Sequence, residues 1–308
     1  MDGVGFVKGH GTQNDFVLLP DADGLLDLTP ARVRAVCDRR RGIGADGVLR
    51  VVRTAAGWDL GTPVPDAEWF MDYRNADGSI AEMCGNGVRV FAHYLASVGL
   101  VSPAEPLAVA TRAGVRPVRW EPDGQITVGM GPVVLGEPGT ATVVGRSFDG
   151  VAADVGNPHL VCVTDIPLDE LDLTVAPGVD GRQFPHGVNV EFVTPPAGGA
   201  VAMRVHERGV GETRSCGTGT VAVAAAVLNG RDGELAVDVP GGRVRVRLTS
   251  DHGACTATLT GPAELVASGE LDPTWWKRAD EACIAGAEPR VGVTPRTAAP
   301  NSVTMAGK

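Results

Sequence analysis

Two stretches of this chain open in the same way and continue in the same way. Residues 83–95 read MCGNGVRVFAHYL, and residues 215–228 read SCGTGTVAVAAAVL. Each sets Cys-Gly-x-Gly before a run of mostly apolar, helix-compatible residues, and the two cysteines lie 132 positions apart. Two further echoes keep the same order. DFVLL after Asn14 is matched by PHLVC after Asn157, and DGVLRV from Asp46 by NVEFV from Asn189, both read at an offset of 143. Three anchors in one order predict an internal duplication. The period far exceeds the roughly 20–50 residues of a solenoid repeat, so the chain is read as two similar domains that face each other.

At 308 residues the chain is long enough for two modest domains. A net charge of −10 argues against a nucleic-acid or anionic-membrane partner. No apolar run approaches the roughly 20 residues of a membrane span, and MDGVGFVKGHGTQNDF lacks a signal-peptide layout, so the expected location is the cytoplasm. The six cysteines are scattered without a C-x-x-C, which predicts free thiols and no zinc or other metal site. Lysine occurs only at 8, 277 and 308, two of them close to the C-terminus. A pyridoxal phosphate enzyme needs a lysine Schiff base, so no such cofactor is expected.

Along the chain, residues 5–19 read as strand, polar turn and strand, and residues 30–40 as a helix with Pro30 in its first turn. A Gly-rich turn and a strand follow in GIGADGVLRVV. The helix after Cys84 should end near Gly99, and short alternating segments over 107–148 read as strands. Residues 279–308 are rich in Pro, Ala, Thr and Gly without periodicity and read as a disordered tail.

A cysteine at the start of a helix meets unpaired backbone N–H groups and the positive end of the helix dipole. Its pKa is expected to drop from ~8.5 to roughly 3.5–7.5. The adjoining glycines let a ligand approach the backbone, whose N–H groups can hold a carboxylate. A lone cysteine of this kind is more often a buried small hydrophobe. Pairing changes that reading. Two such thiols in equivalent places of facing domains point at one cleft from opposite sides. One can take a proton from a tetrahedral carbon while the other delivers one to the opposite face, which is the chemistry of a two-base racemase or epimerase.

Six stretches, KGHGTQNDFVLL, RRGIGADGVL, YRNADGSIAEMCGNGVR, DVGNPHLV, GVNVEFV and VRVHERGVGETRSCGTGT, resemble in order the signatures of the diaminopimelate epimerase family. The resemblance covers roughly residues 4–275. It implies an α/β (α+β) fold of two pseudo-symmetric domains. Each would be a barrel-like, mostly antiparallel sheet around a central helix, with the active site in the cleft between them. The expected division is residues 1–128, completed by about 265–278, and residues 129–264. The implied activity is cofactor-independent epimerisation of LL- to meso-diaminopimelate, a small-molecule substrate, by a homodimer.

By motif, the resemblance makes Cys84 and Cys216 the catalytic thiols, with His159 and Glu207 tuning them. It makes Asn14, Asn75, Asn157 and Asn189 substrate contacts, Gly85–Asn86 and Gly217–Thr218 the helix-start cradles, and Glu207–Arg208 a pair for the substrate's charged groups. These residue types suit a substrate with two ammonium and two carboxylate groups. Asparagine both donates and accepts, and arginine grips a carboxylate bidentately. Two positions depart from the family pattern: Gln13 where Gly is common, and Gly47 where Gln is frequent. Read alone, His10, His93, His186, His206, Cys37, Cys162, Cys255 and Cys283 are structural.

Two rivals stay open. A proline racemase-like enzyme shares the two-thiol logic, although its first motif tends to read Cys-Gly-His-Gly where this chain has Asn86. A non-catalytic amino-acid-binding or cell-wall-assembly protein on the same scaffold is the other.

Overall fold

A computed structural model describes residues 3–56, 66–251 and 254–281. Among them the first half contributes β1 (Val4–Gly11), β2 (Asn14–Pro20), α1 (Pro30–Cys37), β3 (Gly47–Arg53), β4 (Trp69–Asn75), α2 (Gly85–Ser97), β5 (Leu107–Thr111), β6 (Gly114–Trp120), β7 (Ile126–Pro132) and β8 (Val134–Val143). The second contributes β9 (Arg146–Asp154), β10 (Pro158–Val163), β11 (Gly178–Val179), β12 (Asn189–Val193), β13 (Ala200–Glu207), β14 (Gly211–Thr213), α3 (Gly217–Leu228), β15 (Gly233–Val239), β16 (Gly242–Asp251), β17 (Ala254–Gly261) and β18 (Glu264–Leu271). The helix α4 (Pro273–Glu281) closes the described chain. It runs past residue 279, and the rest of the 279–308 segment, Cys283 included, lies outside the described residues.

Followed through its pairings, the sheet runs β18-β1-β2-β3-β4-β5-β6-β7-β17-β16-β15-β13-β12-β10-β9-β8. This order is a palindrome about the antiparallel β7–β17 pair, with each strand of one half matched by its counterpart in the other. The parallel pairs match as well: β2–β3 and β4–β5 in one half, β10–β12 and β13–β15 in the other. The remaining pairs in this order are antiparallel. The last strands are exchanged, since β18 pairs with β1 and β8 with β9.

Each half wraps its sheet around one helix. Helix α2 packs against β1 to β7 and β18, and α3 against β8, β9, β10, β12, β15, β16 and β17. Enclosure explains why both helices are apolar nearly all round: Gly85–Ala92 is buried without interruption, as is Gly219–Ala225. The strands beside the helices are buried on both faces, and alternation divides their side chains. Phe16, Leu18, Leu49 and Val51 turn inward to the core around α2, while Val17, Leu19 and Val48 turn outward under α1 and α4. In the second half Val161 and Val193 turn inward, and Leu160, Cys162, Val190 and Phe192 outward.

Strand register corrects one of the sequence offsets. Phe16 pairs with Gly47 as His159 pairs with Asn189. The counterpart of Asn189 is therefore Gly47 rather than Asp46, an offset of 142, and that of Glu191 is Leu49.

The two departures from the family pattern have local causes. Gln13 and Thr12 form the β1–β2 turn with φ of 62° and 50°. That left-handed conformation favours glycine, but here the Gln13 side chain accepts through Oε1 from Arg214 Nε of the other half. At Gly47, a Cβ would lie 2.6 Å from the carbonyl oxygen of Arg74 and 2.7 Å from Tyr73 Cε2. The Tyr73 ring, edge-on to Phe16 at 5.8 Å, fills the space a longer side chain would need.

Candidate active site

Cys84 and Cys216 are themselves the N-caps of α2 and α3. Their backbones are extended (φ −146°, ψ 118° and φ −120°, ψ 113°), and each sulfur accepts from the N–H three residues on, Gly87 and Gly219, at 3.4 Å. The sulfur takes the place of the usual cap oxygen, so it sits at the positive end of the helix.

The two helix starts meet. Asn86 donates through Nδ2 to Ser215 O (3.3 Å) and Ser215 Oγ (3.2 Å) in the opposite half, and to Asn14 Oδ1 (3.2 Å) in its own. A Cβ on Gly217 would be in van der Waals contact with Asn86 N at 3.6 Å, which shows how closely the two helix starts approach. Arg89, fully buried, donates to Asn86 Oδ1 at 2.9 Å and so fixes which way that amide points. It also reaches Thr12 Oγ1 (3.4 Å), which bonds Ser215 Oγ at 2.7 Å. Asn14 receives a hydrogen bond from the Cys84 thiol (3.6 Å) and donates to Asp46 Oδ2 (2.9 Å).

Under the start of α3 two inward positions are polar. His159 and Glu191 lie side by side on β10 and β12, both 0% exposed, with Nδ1 2.7 Å from Oε1. His159 Nε2 is 3.1 Å from Asn157 Oδ1. Asn157 donates to Thr218 Oγ1 at 3.3 Å, and Thr218 Oγ1 lies 3.5 Å from Cys216 Sγ. Glu207, at the end of β13, accepts a hydrogen bond from the Thr213 hydroxyl, and its charge acts on the Cys216 thiol.

Other expected contacts are held from behind. Asn189 accepts from the Arg208 N–H through Oδ1 at 2.8 Å. Exposed Arg208 donates through one terminal nitrogen to His186 O at 3.1 Å. Asn75 Nδ2 donates to Ser79 Oγ in its own turn at 3.0 Å. Gly85 and Gly217 open the helices, with Asn86 and Thr218 next in each.

The expectation of lowered thiol pKa values is overturned. Burial pushes Cys84 up to about 11, against the hydrogen bonds from Gly87 and Asn86, with the Glu207 charge adding to the rise. Burial also pushes Cys216 well above the ordinary thiol value, and the charges of Glu207 and Glu191 act the same way; Thr218 and the Gly219 N–H oppose them. Burial raises Glu207 too, partly offset by its hydrogen bond from Thr213. Desolvation of a sulfur anion outweighs the helix end and, at Cys84, the charge of Arg89 as well. Among the described residues no group of three or more His, Cys, Asp or Glu side chains is placed to hold a metal ion.

Sequence reasoning missed Glu191, Arg89, Thr12 and Ser215. Glu191 had a signal: it is a lone charge in the otherwise apolar run VEFV of a buried strand. Arg89 had one too, as a charge amid the apolar VRVF of an enclosed helix. Thr12 and Ser215 carried none, because their importance comes from contact across 203 positions. Two of the remaining thiols lie away from the helix starts. Cys37 and Cys162 are buried outside the site, and burial raises both to about 12.

A family profile described as diaminopimelate epimerase matches residues 6–136 and 151–266. A diaminopimelate epimerase of Rhodococcus erythropolis is 57% identical over 289 residues, covering 88% of this chain and 97% of the relative. One from Mycolicibacterium smegmatis is 56% identical over 289 residues, covering 88% and 98%. Among solved structures, a PhzF-family phenazine biosynthesis protein of Bacillus anthracis superposes with a TM-score of 0.68 at 18% identity, covering 88% of this chain and all of that one. A hydroxyproline epimerase from Agrobacterium vitis gives 0.63 at 15% identity, covering 89% and 94%. At these identities the structural likeness carries the fold, a mixed α/β architecture dominated by sheet.

Proposed function

The chain belongs to the diaminopimelate epimerase family, and we propose that Cys84 and Cys216 are the two acid–base groups of its reaction. The chain is an isomerase that interconverts LL- and meso-diaminopimelate on the route to lysine. The observation that supports the assignment is the meeting of two sulfur-capped helix starts through Asn86 and Ser215.

In this reading one sulfur, as thiolate, takes the α-proton from one face of the carbon, and the other, as thiol, returns a proton to the opposite face. After one turnover the protonation states of the sulfurs are exchanged. Glu207 can take the Cys216 proton and release the thiolate. Burial favours the protonated form of both sulfurs in the free cleft, so arrival of the substrate's ammonium beside a sulfur is the event that favours its thiolate. The N–H groups opening α2 and α3, with Asn86 and Thr218, cradle the reacting carboxylate. Asn14, Asn75, Asn157 and Asn189 orient the amino-acid groups, and Arg208 takes the distal carboxylate. A second amino-acid centre far from the reacting carbon is what the exposed Arg208 suits, and a small cyclic substrate has no group to place there.

No pyridoxal phosphate is required in this scheme, since both proton transfers belong to protein side chains. The division into domains at about residue 128 belongs to the same proposal, supported by the palindromic strand order. So do a cytoplasmic location and a homodimer; for the dimer, among the described residues β18 pairs only with β1 and leaves an edge that a second copy could cover. Among the described residues no helix is long and apolar enough to cross a membrane.

The test is proton exchange in D₂O with LL-diaminopimelate, proline, 4-hydroxyproline, glutamate and lysine. Deuterium should enter the α-position of diaminopimelate alone. Exchange into proline instead would point to the racemase reading, and exchange into none to a binding protein.

A further inference from the structure

We propose that Glu191 is a positioning residue for the epimerisation, which through His159, Asn157 and Thr218 sets the direction of the hydrogen bond that reaches the sulfur of Cys216. The proposal rests on the reading of Cys216 as an acid–base group.

Glu191 lies with His159 under the start of α3, and neither side chain has any exposure. One carboxylate oxygen meets the imidazole, and the other has no hydrogen-bond partner. A buried carboxylate so poorly solvated requires a cation beside it. His159 supplies one when it carries a proton on both nitrogens, Nδ1 toward Glu191 and Nε2 toward Asn157 Oδ1. The sense of every later contact is then fixed. With its carbonyl taken by His159, Asn157 presents its amide nitrogen to Thr218. Thr218 accepts there and keeps its own proton for Cys216 Sγ, 3.5 Å away. The sulfur thus receives two donors, the Thr218 hydroxyl and the Gly219 N–H, and both favour the thiolate. Gly219 makes the arrangement possible, since a Cβ there would lie 2.7 Å from Glu191 Oε1.

A neutral side chain at 191 no longer fixes the sense of the relay. The imidazole then carries one proton, and where an amide at 191 accepts from Nδ1 that proton stays there and Nε2 becomes an acceptor. The Asn157 amide turns over to donate to it, and Thr218 then donates to Asn157 Oδ1. The sulfur loses a donor. The 191–159 pair has no net charge before or after the change, so the effect travels by hydrogen-bond direction. The first half has no such relay, because Phe16 and Leu49 occupy the counterpart positions below Cys84. Cys84 is therefore an internal control in the same molecule.

The experiment uses the full chain with Glu191→Gln. Alkylation of Cys216 and of Cys84 by iodoacetamide is followed without substrate by peptide mass spectrometry, and kcat and KM are measured for LL-diaminopimelate. Loss of one hydrogen bond to a charged sulfur should slow Cys216 alkylation about ten- to a hundredfold and lower kcat in the same range. Cys84 alkylation and KM should stay within about threefold, since neither depends on this hydrogen bond. Thr218→Val should reproduce the loss, Thr218→Ser should restore it, and the double variant E191Q/T218V should be no slower than the slower single one. Unchanged Cys216 reactivity in E191Q would overturn the proposal, as would equal slowing at both cysteines or additive losses. If E191Q fails a thermal-melt check of folding, Thr218→Val against Thr218→Ser decides on its own, with no difference between them counting against the relay. The alkylation readout needs no turnover. An active Cys216→Ala enzyme would therefore defeat the catalytic assignment separately from the relay.

Discussion

Leu49 and Glu191 occupy one position in the two halves of this protein. Each is the nearest neighbour of the place where a side chain on the second glycine of a Cys-Gly-x-Gly start would lie, 3.3 Å away for Leu49 and 2.7 Å for Glu191. Cys84 therefore caps its helix above an apolar floor of Leu49 and Phe16, while Cys216 caps its own above a buried carboxylate and imidazole. The backbone is duplicated, but the two thiols do not share an electrostatic environment.

The two-thiol assignment predicts that Cys84→Ala and Cys216→Ala each lose epimerisation. General acid–base groups contribute ~10²–10⁴-fold, and the thiols act as one unit, so the double variant should be little worse than either single one. Steady-state kcat with LL-diaminopimelate measures this. A single variant that kept more than about a tenth of wild-type kcat, well above that range, would end the two-base scheme.

Arg208→Lys should raise KM for diaminopimelate with a smaller effect on kcat, since lysine keeps the charge but loses the planar fork that binds a carboxylate bidentately. Initial-rate kinetics over a substrate range separate the two. A fall in kcat at constant KM would place Arg208 near the reacting carbon instead.

The raised thiol pKa values make stability depend on pH in a defined direction. A thiol that ionises with a pKa near 9.0 when unfolded and about 11 in the fold favours the native state fully below pH 9, and that contribution is lost as pH rises toward 11. Melting curves of the free enzyme should therefore fall over this window. Cys84→Ser, which cannot ionise there, should fall less steeply, with the remaining slope shared by Cys216, Cys37, Cys162, Cys255, Tyr73 and Tyr94. Parallel slopes for the wild type and C84S would contradict burial of the Cys84 thiol.

Asn86→Ala should destabilise the fold as well as the site. It leaves Asn14 Oδ1, the Ser215 oxygens and the Arg89 guanidinium without a shared partner. Unsatisfied buried groups of this kind cost about 1–3 kcal/mol, more when charged. Urea unfolding is the measurement, and a change below about 0.5 kcal/mol, the usual scale of an indifferent surface substitution, would remove Asn86 as the tie between the halves.

Enzyme prepared without pyridoxal phosphate should be fully active and show no visible imine absorbance. A requirement for added cofactor would replace the thiol mechanism with Schiff-base chemistry.

Much of this was legible in the linear chain because it depends on local rules. Cys-Gly-x-Gly before an apolar run set both helix starts, and the polar turn between GFVKGHG and NDFVLLP set the first hairpin. The order of the motifs carried the duplication, which repeats in the strand pairings. The residues flanking each cysteine belonged to those same motifs, so Asn86, Thr218 and Glu207 were named from sequence and lie at the thiols. Register was legible only to within one residue. Only the pairing of Phe16 with Gly47 and His159 with Asn189 shows that Glu191 faces inward.

The sequence by itself determined which groups stand at the helix mouths, since a cap is made by residues three apart. Tertiary structure decided what those groups are like. The helix dipole, a local field, predicted low thiol pKa values. Burial, which depends on every strand folded around the helix, reversed the sign for Cys84 and, with two carboxylates from other strands, for Cys216. Solvation and charge act through space, and the distance between residues 191 and 216, or between 12 and 215, is fixed only when the chain closes on itself.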